Sequence, residues 1–557
     1  MRANCHPFVI LVPETGPLSE YTQQLFMDEG NVVHVVEGRM VTTRPINCCL
    51  QEDSDVDSDD FKTFLVASGP SIKAIRTSLD GRYTALQRSK LHVEFIDHAD
   101  IRENTFIEAP VQTKDAILHG FFWTKTQGAE FVMVTSAGLE FRSFSPSQSS
   151  QGLVTTGFQR LANVCWFKWS QPTGILVVGC GTCGAKLQPF HFQSQCQSPP
   201  STHHSTEPGL RIRRLPLLDL SPPWGPPPTP ISSSQVWILH LYGRVIIAYH
   251  DLRIMTSSTL RLYMLHNGYD SIMPLMEEKL DVGGPIELSV VDDVLVIHLL
   301  RENQTDLIDV QLAVRHGTYG VFRPQRLLEK IDCRRVEEEG LIDNENRLQL
   351  LYPDLAVDVA SGGIFYRMKL DLNAIAAACD DVELLIRFLA LRTPSAHSLG
   401  STCIDPMHVL INVFRPLIAQ RAMPLTLRRA FEALFSTSLK NENEEIVLTL
   451  LQPLLLQKSD VHCALYVVAV LAQFIAVSIK ACSSVHHLVV ELYIRSYVLA
   501  GQTWLLDDLF VRHAPWLDSK TLADRLVGHQ TSQAEDPSGY LQKLGIRMLK
   551  RLDAAAS

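Results

Sequence analysis

Residues 286–299 read Ile-Glu-Leu-Ser-Val-Val-Asp-Asp-Val-Leu-Val-Ile-His-Leu. Apolar runs at Ile286–Val291 and Val294–Leu299 flank the polar pair Asp292-Asp293. Two strand-length runs joined by two polar residues predict a β-hairpin. The pattern extends along the chain. Ile72–Thr77, Tyr83–Gln87 and Leu91–Ile96 have Asp80-Gly81 between the first two, and Phe131–Thr135 meets Leu139–Phe144 across Ala137-Gly138. Ile175–Val178, Val236–His240 and Val245–Tyr249 continue it. Hardly any stretch from Val32 to Leu372 keeps a helical period for three turns. Regular hairpins over such a length exceed one sandwich and suit a propeller of four-stranded blades. At about 40–45 residues per blade there is room for roughly seven, fewer once inserts are subtracted. No Trp-Asp signature repeats, so the expectation is a WD40-like β-propeller with degenerate blades over residues 31–372, behind a leader at 1–30.

Two inserts read as loops, at 50–61 and 196–234. Glu52–Asp60 is acidic, and Asp53, Asp55 and Asp57 imitate the start of a calcium loop. Ser58 stands where that loop needs glycine and Phe64 where it needs a bidentate glutamate, so a solvated loop open to phosphorylation at Ser54 or Ser58 is expected. The second insert is rich in Ser, Pro and His, with Pro-Pro-Trp-Gly-Pro-Pro-Pro at 222–228. Proline lacks the ladder donor, which predicts a partly polyproline loop.

From about Asn373 the period changes to helical. Ile375–Leu391, Pro406–Gln420, Leu425–Leu439, Glu444–Gln457, His462–Ile479, Val485–Leu499, Thr503–His513, Ser519–Val527 and Tyr540–Leu552 read as helices. Val485, Leu488, Val489, Leu492, Tyr493 and Ser496 keep the spacing of a buried stripe. Short polar connections make neighbours antiparallel, so 373–557 is expected to be an all-α helical bundle or α-solenoid. Its last helix keeps an apolar stripe to within three residues of its end, as in a stack without its polar cap.

Composition narrows the function classes. The chain has 557 residues, with 50 basic and 60 acidic side chains and a net charge of −10. No dense Lys/Arg stripe appears, which argues against nucleic acid as a main partner. Twelve cysteines fall far below a disulfide-framework density. The N-terminal apolar run Phe8–Val12 stops at Pro13, too short for a signal peptide. A reducing, cytoplasmic setting follows, and the sequon Asn303-Gln304-Thr305 is then a coincidence of a surface loop. Cys463–Ile479 has one strongly polar residue, Gln473, and falls just short of a bilayer span. Its flanks, Lys458-Ser459-Asp460 and Lys480, supply neither an aromatic belt nor a charge asymmetry, so a buried helix is expected.

No GxSxG elbow, HExxH pair or P-loop is present, and nothing in the chain reads as catalytic. Gly179-Cys180-Gly181-Thr182-Cys183-Gly184 matches GxGxxG, but Ala185–Pro189 is too short for the helix that would hold a pyrophosphate. A glycine-rich strand end is expected instead. Cys180, Cys183, His191 and Cys196 offer four zinc ligands, and a zinc-dependent protein is one alternative reading. Against it, Phe190 and Phe192 alternate with His191 as in a strand, and reduced, partly buried cysteines are expected. His203-His204 and His486-His487 lack the i, i+4 spacing of a helical metal site. Trp504 and Trp516 serve as well in a core as at an interface, so neither is assigned.

Several strings resemble one family, the regulator subunit of the Mon–Ccz guanine-nucleotide exchange complex, called Bulli in flies. They are Ile117-Leu118-His119-Gly120-Phe121-Phe122-Trp123-Thr124, Phe131–Thr135, Gly138-Leu139-Glu140-Phe141, Leu187-Gln188-Pro189-Phe190-His191-Phe192, Val290–His298, Gly362-Gly363-Ile364-Phe365 and Met548-Leu549-Lys550-Arg551-Leu552. The resemblance implies a propeller followed by a helical domain, acting as a non-catalytic scaffold with no cofactor. Implied partners are the Mon and Ccz subunits and, through them, the late-endosomal Rab GTPase. The implied setting is cytoplasmic and peripheral on late endosome and lysosome membranes, in endosome maturation, lysosomal trafficking and autophagy. This chain departs from the family between Cys49 and Ile72, and after Leu552 the family continues through more helices, so the domain 373–557 is expected to be truncated. The rival reading within the binding class is a subunit of another propeller–solenoid assembly: a vesicle coat, a tether or a ubiquitin-ligase adaptor.

Overall fold

In the computed structural model the hairpin of residues 286–299 forms as expected. Asp292 and Asp293 take φ +47 and +62, and Val291 pairs with Val294. Such left-handed turn residues match the twist of the flanking strands. The described residues are 9–13, 24–28, 32–45, 62–99, 106–124, 130–144, 153–193, 211–221, 229–253, 257–266, 268–280, 283–301, 304–312, 314–315, 322–323, 331–332, 348–358, 364–392, 405–436, 443–457, 461–481, 485–506, 519–528 and 539–556. They divide into two units, Met1–Leu370 and Asp371–Ser557.

The first unit is a seven-bladed β-propeller. Blade 1 is Gln24–Asp28, Val32–Glu37, Met40–Pro45 and Lys62–Leu65; blade 2 is Ala74–Thr77, Tyr83–Gln87, His92–Asp97 and Phe106–Pro110. Blade 3 is Leu118–Trp123, Glu130–Thr135, Gly138–Phe144 and Leu153–Arg160. Blade 4 is Val164–Ser170, Ile175–Cys180, Lys186–Gln193 and Arg211–Arg214, with Leu218–Asp219 also on its third strand. Blade 5 is Val236–Leu241, Arg244–Asp251, Ser258–His266 and Ser271–Leu280, extended by Phe322–Arg323 and Val314–Arg315. Blade 6 is Ile286–Val291, Val294–Leu299, Gln304–Ile308 and Ile331–Asp332. Blade 7 is Leu348–Leu351, Leu355–Asp358 and Ile364–Leu370, completed by Val9–Pro13.

Three expectations are corrected here. The stretch 1–30 is not all leader: Val9–Pro13 pairs antiparallel with the last propeller strand, from Val9 opposite Leu370 to Pro13 opposite Tyr366, and Gln24–Asp28 opens blade 1. One strand from the start of the chain thus joins three from the end of the first unit in one sheet. The inserts do not displace a blade, because the first lies between the third and fourth strands of blade 1. The second is not all loop, since Arg211–Arg214 pairs with Phe190–Gln193 as an outer strand. Residues 50–61, including the acidic tract, and Pro222–Pro228 lie outside the described residues.

Blades pack face to face, so their inner strands are buried on both sides rather than one. In Leu118–Trp123, Phe121 and Trp123 pack toward blade 2 while Phe122 packs toward blade 4. Phe122 stacks on Trp169 with ring centroids 4.2 Å apart, and Phe192 meets Phe122 edge-on at 5.5 Å. The strings that carry the family resemblance are therefore largely inter-blade core.

Polar stitches add register between blades. Asp28 accepts from Thr77 N at 2.7 Å, from blade 1 to blade 2. The buried Glu140 carboxylate of blade 3 accepts from Gln112 N at 3.2 Å and Thr113 N at 3.3 Å. Arg142 donates to Glu140 at 3.1 Å and to Pro110 O at 2.7 Å. Asp293 accepts from Tyr242 N of blade 5 at 2.7 Å, and Asp292 from Leu370 N of blade 7 at 3.3 Å.

The second unit has nine helices among its described residues: Leu372–Ala378 (α1), Val382–Ala390 (α2), Pro406–Ala419 (α3), Pro424–Phe435 (α4), Asn443–Gln457 (α5), Val461–Lys480 (α6), His487–Leu499 (α7), Lys520–Gly528 (α8) and Tyr540–Ala556 (α9). The helix expected over Ile375–Leu391 is split, because the Asp381 carboxylate caps a new start by accepting from Leu384 N at 3.0 Å. Asp371 and Asp405 cap α1 and α3 in the same way. Helices α1, α3, α5, α7 and α8 form one layer, and α2, α4 and α6 the other. Within the second layer α4 and α6 run parallel: Tyr466 reaches Ala422 O near their starts, and Phe474 packs on Phe431 and Phe435 near their ends. This is the two-layer stacking of an α-solenoid.

Candidate interaction surface

The glycine-rich stretch serves packing. Gly179 lies next to the end of the strand Ile175–Cys180, and a turn leads directly into Lys186–Gln193, with no helix. Gly184 has φ +64, and a Cβ there would stand 2.6 Å from Trp166 Nε1 and 3.0 Å from Ile231 O. The glycines leave room for the Trp166 indole.

Of the four zinc ligands considered, the three among the described residues, Cys180, Cys183 and His191, do not form a metal-binding group. Cys180 pairs with Lys186, whereas His191 pairs with Ile175 at the other end of the same hairpin. Five residues of strand separate them by roughly 17 Å. His191 faces blade 5, with its ring edge-on to Tyr269 at 4.7 Å. Burial pushes the Cys180 thiol up to about 11, which disfavours the thiolate a metal needs. Cys183 is half-buried on the turn, and Cys196 lies outside the described residues. Among the described residues no three His, Cys, Asp or Glu groups converge. His486 is instead the N-cap of α7, its Nδ1 accepting from Leu488 N at 3.3 Å, while His203-His204 lie outside the described residues.

One described helix, α6, is long and apolar enough to cross a membrane. In this fold it is a core element: Val467, Val470, Leu471 and Phe474 are fully buried, and Lys480 at its end pairs with Glu432 of α4 at 3.2 Å.

The conspicuous surface feature of the second unit is an edge that sequence reading missed. The turns α1–α2, α3–α4 and α5–α6 pass from the first layer to the second, and α4 and α6 start on the same edge of the stack. Of the large exposed apolar side chains described in this unit, Val382, Met423, Leu425 and Val461 lie at these turns, while Leu499 and Trp504 flank the turn after α7. Met423, Leu425 and Trp504 are 70%, 65% and 72% exposed. The signal in the sequence was a large apolar residue at the starts of α2, α4 and α6, after the turn. Trp516 lies outside the described residues.

Comparison with known proteins gives these surfaces a context. Residues 26–151, which span blades 1 to 3, match the family model "Regulator of MON1-CCZ1 complex, N-terminal". The chain is 23% identical over 524 residues to the mouse protein named Regulator of MON1-CCZ1 complex, covering 87% of this chain and 75% of the relative. The human protein of that name matches at 22% over the same shares. Among solved structures, the β-propeller domain of Cps50 (Swd1) from Myceliophteria thermophila aligns at TM-score 0.34 and 9% identity, covering 64% of this chain and 98% of that one. The seven-bladed architecture rests on the strand pairing, not on that likeness. The sequence match runs through both units, so over most of its length the chain is similar to the regulators of the MON1-CCZ1 complex.

Proposed function

We propose that this chain is a non-catalytic scaffold and regulatory subunit of a MON1-CCZ1 complex. The observation that carries the reading is the match across both units to relatives with that name, over 87% of the chain. The architecture supports it, since propellers and solenoids both present wide, rigid surfaces. The complex activates the late-endosomal Rab GTPase, and the nucleotide chemistry belongs to the partners and the Rab. The chain works in the cytoplasm, peripheral on late endosome and lysosome membranes through the complex, in endosome maturation, lysosomal trafficking and autophagy. The test is affinity purification of the tagged chain from cells with mass spectrometry. Recovery of both MON1 and CCZ1 in near-equal amounts supports the reading; recovery of a coat, a tether or a ubiquitin ligase in their place overturns it.

A further inference from the structure

Along the apolar edge of the second unit, Met423, Leu425 and Trp504 are largely exposed. A large side chain left two-thirds exposed contributes little burial, and a row of them is an aggregation liability unless something covers it. Met423 and Leu425, with the part-exposed Val382 and Val461, form a ridge along the starts of α2, α4 and α6, and Trp504 is equally exposed after α7. With helices 8–10 Å apart, the steps from Val382 through Met423 to Val461 span roughly 20 Å. Trp, Met and Arg are the types enriched where proteins meet, and Trp504, Met423 and the exposed Arg421 supply all three.

Charge selects the occupant. Asp380 and Asp381 sit exposed in the first turn, and Arg421 is the cation among the described turn residues. An anionic bilayer favours a cluster of basic groups and is repelled by the two aspartates. A protein surface satisfies both signs at once, with an acidic group opposite Arg421 and a basic one opposite Asp380 and Asp381.

We infer that this ridge docks a protein partner that presents an apolar strip flanked by an acidic and a basic group. Resting on the function proposed above, that partner is the MON1-CCZ1 heterodimer. Val382, Met423, Leu425, Val461 and Trp504 supply the contact area, and Arg421 with Asp380 and Asp381 set its register. Because the exposed side chains make few contacts within the chain, their replacement leaves the fold intact.

The experiment captures purified MON1-CCZ1 heterodimer on the immobilised full chain. Three proteins are compared: the wild type, Met423→Ser with Leu425→Ser, and Val154→Ser with Phe158→Ser on the outer strand of blade 3, where both residues are about half exposed. Unchanged melting of each variant verifies folding. The expected result is capture weakened at least about tenfold by the ridge variant and unchanged by the blade 3 variant. Wild-type-like capture by the ridge variant overturns the inference and leaves the proposed function standing. Failure of the wild type to capture the heterodimer overturns both. A ridge variant that keeps the heterodimer but no longer floats with phosphatidylserine vesicles assigns the ridge to lipid and likewise overturns the inference.

Discussion

Tyr242 donates its hydroxyl to the Asp309 carboxylate at 2.7 Å, across 67 positions of sequence and from blade 5 to blade 6. Its backbone N–H is held by Asp293 in the same interface. One residue thus ties a blade to both the first turn and the third strand's end of the next. The Tyr242→Phe variant keeps the ring and loses the bond. Deleting a partner of a buried carboxylate costs about 1–3 kcal/mol. For a unit of this size melting should fall by several degrees, read by differential scanning calorimetry. An unchanged transition would show that the contact does not hold the blades together.

Glu140 and Arg142 make the same kind of stitch with a buried charge pair, their side chains 2% and 5% exposed. Arg142→Ala removes the cation and leaves the carboxylate buried, a change that costs about 3–5 kcal/mol. Glu140→Gln, which keeps acceptor capacity and shape, should cost less. The order of the two variants in chemical denaturation checks this; the reverse order would place the stabilising role in the carboxylate's charge rather than in its pairing.

Gly184→Ala should destabilise the propeller although it adds one methyl group. The residue adopts φ +64, and the new carbon would press on the Trp166 indole and on Ile231 O. Strain of both kinds costs on the order of 1–3 kcal/mol. Trp166 fluorescence should shift with the loss. Gly181→Ala has the same kind of backbone strain at φ +88 but an open site, so it should cost less.

Histidine burial gives the propeller an acid-sensitive term. Burial pushes His250 down to about 4, against a small opposing effect of Asp251, and its Nε2 has no hydrogen-bond partner. The unfolded chain takes up a proton near pH 6.5 while the folded one resists until about 4. Stability is therefore full above 6.5 and falls as pH drops through that window, by on the order of 2–3 kcal/mol for this residue. Burial lowers His98 and His119 in the same direction. His250→Gln should flatten the melting-against-pH curve between 6.5 and 4; an unaltered slope would assign the acid sensitivity to other groups.

What was legible in the sequence follows the range of the interactions. Asp292-Asp293 announces its hairpin because a two-residue turn is local chemistry. The change of period near residue 371 is also local, and the unit boundary falls between Leu370 and Asp371. Val9–Pro13 was not legible, because its five residues gain their meaning from Ile364–Leu370, over three hundred positions away. Arg211–Arg214 hid as well, since an outer strand needs a ladder partner but little apolar character. The break at Asp381 turned on one capping hydrogen bond inside an otherwise continuous apolar pattern. The zinc ligands looked close because sequence distance counts residues, whereas a hairpin sends Cys180 and His191 to opposite ends. The ridge escaped because its members look like core positions until the stack is assembled.

The most direct test of the central claim is co-elution of the purified full chain with the MON1-CCZ1 heterodimer on size-exclusion chromatography with light scattering. Membership in the complex predicts a single species with one copy of each of the three chains. Separate elution of this chain and the heterodimer, with both folded, would contradict it.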